Sequence, residues 1–167
     1  MTGKRLGRHL VIMGVAGAGK TTLGRALADR LGVSYLDADE LHPKSNIEKM
    51  STGVALSDAD RKPWLKRVGA ALAGSDEPMI TGCSALKRSY RDMLLETAGR
   101  RITFIYLSVS GAEVTARLSA REKHFFDPAL CRSQFVELEP PGSDEDAITV
   151  DGDQSVEEIV AEVIKRL

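Results

Sequence analysis

The sequence predicts a doubly wound α/β domain, a parallel sheet with helices on both faces. Three observations predict it. Leu10–Met13 is an unbroken apolar run, the mark of a strand buried on both sides. A glycine-rich turn follows at once, then an amphipathic run with Leu23, Leu27 and Leu31 on one face. The pattern then recurs: five short apolar runs alternate with helical periodicity to the C terminus, which makes βα units and parallel pairing. A chain of 167 residues suits one domain, spanning 1–167, with a core large enough to be stable alone.

Taken in order, Met1–Gly7 reads as a short frayed start and Arg8–Met13 as the first strand. A helix over Lys20–Leu31 stops at Gly32, a natural left-handed terminator. Val33–Leu36 is a short second strand. Glu40–Met50 carries Leu41, Ile47 and Met50, with His42-Pro43 interrupting any continuous helix. After a polar turn, Ser57-Asp58-Ala59-Asp60 signals a helix start. Pro63 either lies in that helix's first turn or removes one hydrogen bond. Trp64, Leu65, Val68 and Leu72 then have core-facing spacing. Pro78–Thr81 is a third strand, leading into Gly82-Cys83-Ser84, small residues that let backbone approach a ligand. Cys83 reads as a packing residue rather than a nucleophile. The next helix begins with Lys87, Arg88 and Arg91. Ile102–Leu107 is the fourth strand, Gly111–Ala120 a helix, Ala147–Val150 the fifth strand and Ser155–Leu167 a closing amphipathic helix.

Composition narrows the partners. A net charge of −1 gives no global field to recruit nucleic acid or a membrane. Four apolar residues in a row are too few for a membrane span or a signal-peptide core. Cys83 and Cys131 are expected as reduced thiols in the cytoplasm. His9, His42 and His124 share no ligand spacing with them, so no zinc site is expected. Charge is uneven, however. Four basic residues (Arg117, Arg121, Lys123, Arg132) cluster around the end of the fifth predicted helix, whereas nine acidic and no basic residues lie between Glu137 and Glu158. The basic stretch either solvates a surface or meets phosphates.

Gly14-Val15-Ala16-Gly17-Ala18-Gly19-Lys20-Thr21-Thr22 carries the chemistry, reading G-x-x-x-x-G-K-[ST] between a strand and a helix. Glycines let backbone N–H groups close around phosphate oxygens, and the helix start aims its positive end at the same point. Lys20 supplies a mobile cation for the β- and γ-phosphates, and Thr21 a hydroxyl for Mg²⁺. Asp37 and Asp39 lie just beyond the second strand, where open parallel sheets bind ligands. One could hold the metal's water shell and the other accept a proton from a substrate hydroxyl. Asp39 could equally cap a helix or close an Asx-turn. Arg61 falls in a first helical turn, where it opposes the dipole, a hint of an anionic substrate or of pairing to Asp58 and Asp60. Lys87 and Arg91, four apart, could grip a carboxylate or phosphate or only solvate a face. The segment Glu122–Glu139 could fold over nucleotide as a lid.

Together G-V-A-G-A-G-K-T, L-D-A-D-x-L-H-P, N-I-E-K-M, D-R-K-P-W-L, C-S-A-L-K-R-x-Y-R-D and R-x-K-H-F-F resemble the gluconokinases of the shikimate-kinase-like P-loop family, over nearly the whole chain from His9. The resemblance implies a three-layer P-loop kinase fold with a five-stranded parallel sheet in order 2-3-1-4-5. It further implies substrate-binding helices at about 40–75, a helical lid at about 121–140, and a homodimer by analogy. The implied reaction is phosphorylation of D-gluconate by ATP with Mg²⁺, feeding sugar-acid catabolism by the pentose phosphate or Entner–Doudoroff route. Mapped residue by residue, Asp39 would face the acceptor hydroxyl and Asp37, with Thr21, the metal. Lys20 and Arg121 would stabilise the transferring group, and Arg117 and Arg121 would touch the nucleotide beside residues 14–22. His42, Lys49, Arg61, Lys87 and Arg91 would form the gluconate pocket. Ala16 and Ala18 stand where related loops often carry serine; those positions act through backbone N–H groups. A shikimate kinase would have a glycine triplet after the third strand, where this chain has Thr81-Gly82-Cys83. A guanine-reading N-K-x-D block, the mark of a nucleotide switch, is absent.

Overall fold

A computed structural model of the protein describes residues 6–120 and 128–167, and at its centre lies β1, His9–Met13, buried along its whole length. It is flanked by β3 (Met79–Gly82) and β4 (Ile102–Ser108). β2 (Ser34–Asp37) and β5 (Ala147–Asp151) form the edges. All pairings are parallel, in the order β2-β3-β1-β4-β5 that the resemblance implies. Alternate β1 side chains feed two cores, as period-two geometry requires. Leu10 and Ile12 join Leu23, Leu27, Val160 and Val163. Val11 and Met13 join Trp64, Leu65, Val68, Leu72 and Leu94. The first face is covered by α1 (Lys20–Leu31) and α7 (Val156–Arg166), the second by α3 (Asp58–Ala73) and α4 (Arg88–Ala98).

Local chemistry sets the ends. Ser57 and Asp60 cap α3 reciprocally, and Ser155 and Glu158 do the same for α7. Pro63 lies inside α3 beyond its first turn, so it removes the bond its N–H would make to Ala59. The interruption expected at His42-Pro43 separates a 3₁₀ turn, Ala38–Leu41, from α2, Lys44–Ser51. α5 (Gly111–Ser119) and α6 (Pro128–Glu137) complete the set. No helix among the described residues is long and apolar enough to cross a membrane.

Register brings the site together. Asp37 is β2's last residue, one past the expected strand end, and pairs with Gly82, which also faces Ile12. The carboxyl ends of the three strands therefore meet beside the glycine loop. Gly82 lines the cleft, where small size lets backbone approach a ligand, and Tyr35 makes a second demand on it. A Cβ there would lie 2.3 Å from the Tyr35 hydroxyl, and one at Gly24 on α1 would lie 2.3 Å from the Tyr35 ring. Both glycines make room for that tyrosine.

Candidate active site

The glycine loop wraps the start of α1. Gly19 caps that helix at φ 101°, a conformation side-chain residues rarely adopt. The Lys20 ammonium donates to the carbonyls of Gly14 and Val15, each at 3.0 Å, which folds it back over the loop. Gly14 N–H donates to Ser84 O, tying the loop to the chain beyond β3. Val15 and Ala18 are buried, so the loop offers its backbone rather than their side chains. Thr22 is exposed on α1 and does not line the cleft.

A cleft of about 580 Å³ opens from this loop. Ala16, Gly17, Gly19, Lys20 and Thr21 form one end. Asp37, Asp39, His42, Arg61 and Trp64 form the other. The Asp37 side chain accepts from Asp39 N–H at 3.0 Å, so Asp37 caps the 3₁₀ turn, the task the sequence allowed for Asp39. The Asp39 carboxyl opens onto the cleft, with 80 % of its side chain exposed and the cleft walls around it. Enclosure by the cleft walls pushes its pKa above the usual carboxylate value; nearby Asp37 adds to this and Lys20 opposes it. A raised pKa suits a group that takes up a proton.

His42 stacks on Trp64 with ring centroids 4.1 Å apart and planes 15° apart. Trp64, expected only as core, is both core and cleft wall, and its indole N–H donates to Ala38 O at 2.7 Å. Burial, aided by the Arg61 charge and opposed by Asp37, lowers the His42 pKa to about 4. Arg61 is 6 % exposed. It donates to the Tyr90 hydroxyl at 2.9 Å and pairs with Glu137 at 2.9 Å, not with Asp58 or Asp60. Tyr90 in turn donates a short hydrogen bond to Asp58.

Four of the expected cations do not line the cleft. Arg91 is fully buried, gripped by both Glu145 oxygens at 2.7 and 3.1 Å, and donates to Ala85 O and Leu86 O. It joins α4 to the chain ahead of β5; Lys87 is the N-cap of α4, in extended backbone at φ −97° and ψ 148°, so the spacing of four does not put the two side chains on one helix face. Lys87 pairs with Asp58 at 3.0 Å, and Lys49 with Asp60 at 2.9 Å. Arg117 supports the loop from behind, donating to Ala18 O at 2.8 Å, Gly152 O at 2.7 Å and Glu113 at 2.9 Å. Arg121 lies outside the described residues.

Of the expected lid, α6 is described and covers the cleft through Leu130, Ser133 and Gln134. It presents polar and acidic groups rather than cations. The Gln134 carbonyl accepts from Ala16 N–H at 2.6 Å, while Glu137, one turn on, holds Arg61. Arg132 is exposed. Sequence reasoning missed Tyr35, Asn46, Gln134 and Glu137. Only Asn46 carried a signal, its place in the N-I-E-K-M block.

A parallel sheet in this order, with a glycine loop at the head of α1 and a carboxylate facing it across a cleft, defines a P-loop kinase. A model of the shikimate kinase family matches residues 16–167. The gluconokinase of Gluconobacter oxydans is 44 % identical over 95 % of this chain and 90 % of its own. The thermoresistant gluconokinase of Escherichia coli is 43 % identical over 93 % of both. The crystal structure of a gluconokinase from Sinorhizobium meliloti superposes with a TM-score of 0.88 at 42 % identity, covering 97 % of this chain and 92 % of that one. The chain belongs to the shikimate kinase family, among its gluconokinases.

Proposed function

We propose that the enzyme transfers the γ-phosphoryl group of ATP to the primary hydroxyl of D-gluconate, giving 6-phospho-D-gluconate and ADP. The observation that carries this reading is one cleft holding a phosphate loop at one end and Asp39, His42 and Arg61 at the other. Gluconate is a small anion rich in hydroxyls. Arg61 offers its carboxylate a planar fork, and Asp39 and His42 offer its hydroxyls an acceptor and a donor.

In the transfer the acceptor oxygen forms a bond to the γ-phosphorus as the bond to the β–γ bridging oxygen breaks. Asp39 takes the hydroxyl proton. Lys20 and the loop N–H groups meet the charge that develops on the phosphoryl oxygens. Thr21 and Asp37 both line the cleft, and a hydroxyl with a carboxylate is an oxygen donor set of the kind Mg²⁺ takes. Thr21 would hold the ion directly and Asp37 through water, and the ion would supply neutralisation of phosphate charge. Arg117 acts through the loop it supports, and Lys49 and Lys87 act through Asp60 and Asp58, which precede Arg61 in the first turn of α3.

Coupled ADP release with Mg-ATP against gluconate, shikimate, other sugar acids, AMP and no acceptor tests the reading. Stimulation by gluconate above the others is the expected result. Stimulation by another acceptor alone reassigns the pocket, and none at all removes the kinase reading.

A further inference from the structure

Behind the acceptor end of the cleft runs a hydrogen-bond chain whose direction can be read without seeing a proton. Asn46, on α2, is 2 % exposed. Its side-chain nitrogen contacts the Asp60 main-chain carbonyl at 2.9 Å and His42 Nδ1 at 3.2 Å. A carbonyl oxygen only accepts, so the Asn46 atom facing it must be the NH₂ group. The opposite amide orientation would set two oxygens against each other in a buried site. An NH₂ group only donates, so its second hydrogen points at His42 Nδ1, and that nitrogen must carry a lone pair. A neutral imidazole with an unprotonated Nδ1 carries its proton on Nε2. Nε2 lies 3.8 Å from Asp39 Oδ1, too far for a direct hydrogen bond. A hydroxyl oxygen seated beside the pair would be within about 2.8 Å of both.

We propose that Asn46 is a positioning residue: its amide holds His42 as the neutral Nε2–H form and so aims that N–H, beside the Asp39 carboxylate, at a hydroxyl of the acceptor. Trp64 fixes the plane of the ring by stacking, and Asn46 fixes where its proton sits. The two neighbours act on different degrees of freedom. The charged groups around the ring agree with this form. Arg61, from α3, disfavours a second proton, and the weaker opposing field of Asp37 at the end of β2 does not reverse it. Asp39 also faces the ring, 3.8 Å from Nε2. A neutral donor has a functional advantage. An imidazolium beside Asp39 would form a salt bridge with it and lower the carboxylate's basicity, whereas a neutral N–H orients the hydroxyl and leaves Asp39 able to take its proton.

The proposal rests on the kinase reading for the identity of the hydroxyl, and not for the protonation of the ring. Long-range nitrogen–proton NMR of ¹⁵N-labelled protein near pH 7 reads the ring directly. His9 and His124 supply the only other imidazoles, and His42→Gln identifies the His42 signals by their loss. The expected result is a pyridine-like Nδ1 and a pyrrole-like Nε2. A protonated Nδ1, or a doubly protonated ring, overturns the proposal. Asn46→Asp replaces the donor by an acceptor and should move the proton to Nδ1. With it the KM for gluconate should rise at least about tenfold, while the KM for ATP stays within about twofold. A moved proton with an unchanged gluconate KM overturns the aiming role. Should the aspartate prevent folding, His42→Gln and His42→Leu decide the question. Glutamine can place an N–H where Nε2 was, so its gluconate KM should be at least about fivefold lower than that of leucine; equal values overturn the proposal. The expected ring signals together with no stimulation by gluconate would overturn the functional reading and leave the ring assignment standing.

Discussion

Asp39 and His42 face each other across 3.8 Å at the acceptor end of the cleft, and single-residue effects are sharpest there. Asp39→Asn keeps the shape and removes the base. We expect turnover to fall about 10²- to 10⁴-fold with ATP affinity, measured by calorimetry, within about twofold. An unchanged rate would remove Asp39 from proton transfer. His42 also links stability to pH. Its folded pKa is about 4, against an ordinary 6.5. Between those values the unfolded chain binds a proton that the folded ring refuses, so stability rises with pH through that window and His42 adds no slope above it. Thermal unfolding of the protein and of His42→Gln should therefore diverge on acidification. The unmodified chain should lose about 5 °C more than the variant between about pH 6.5 and 4.5. Parallel curves would show that burial does not hold the ring neutral. Asp39 was legible from the sequence as the second acid of a pair after a strand. The state of the His42 ring was not, because it depends on Asn46 and Trp64, which spacing alone does not set against it.

α6 shows where reading by element stops. The sequence marks a lid-like segment after Ser119, yet the two contacts that join α6 to the cleft span long separations. Ala16 to Gln134 crosses 118 residues, and Arg61 to Glu137 joins α3 to a helix in the other half of the chain. Gln134 and Glu137 are three apart and so share one side of α6. One side chain thus holds the phosphate loop and the other the acceptor arginine. We expect Gln134→Ala to loosen α6 without disturbing the sheet. Hydrogen exchange of residues 130–137 should speed up at least about tenfold, while β1 and β4 stay protected. Turnover should fall several-fold, since the wall over the cleft is less well held. Unaltered exchange in α6 would mean that the Ala16 contact contributes nothing to holding it.

The order of strands was legible from the resemblance, and the strands themselves from their apolar runs, because a strand buried on two faces has little freedom in composition. What the whole molecule decides is which cations face the cleft. Arg61 and Arg91 look alike as letters near helix starts, and the sequence offered both as anion binders. The fold separates them. Arg61 reaches the cleft past the N-cap of α3, whereas Arg91 points inward and spans from α4 to Glu145. Glu145 is itself buried, with 8 % of its side chain exposed, so deleting Arg91 strands a carboxylate. Arg91→Leu should cost about 3–5 kcal/mol, lowering Tm by about 10 °C, because breaking a buried pair from one side leaves an uncompensated charge. Gluconate and ATP KM, measured well below Tm, should stay within about twofold. Adding Glu145→Leu should restore much of the lost Tm, since a buried pair exchanged for apolar groups is close to neutral. Arg61→Leu should instead raise the gluconate KM at least about tenfold. A gluconate KM that rose equally in the Arg91 variant would return Arg91 to the pocket, and an undiminished Tm would show that Glu145 finds another partner.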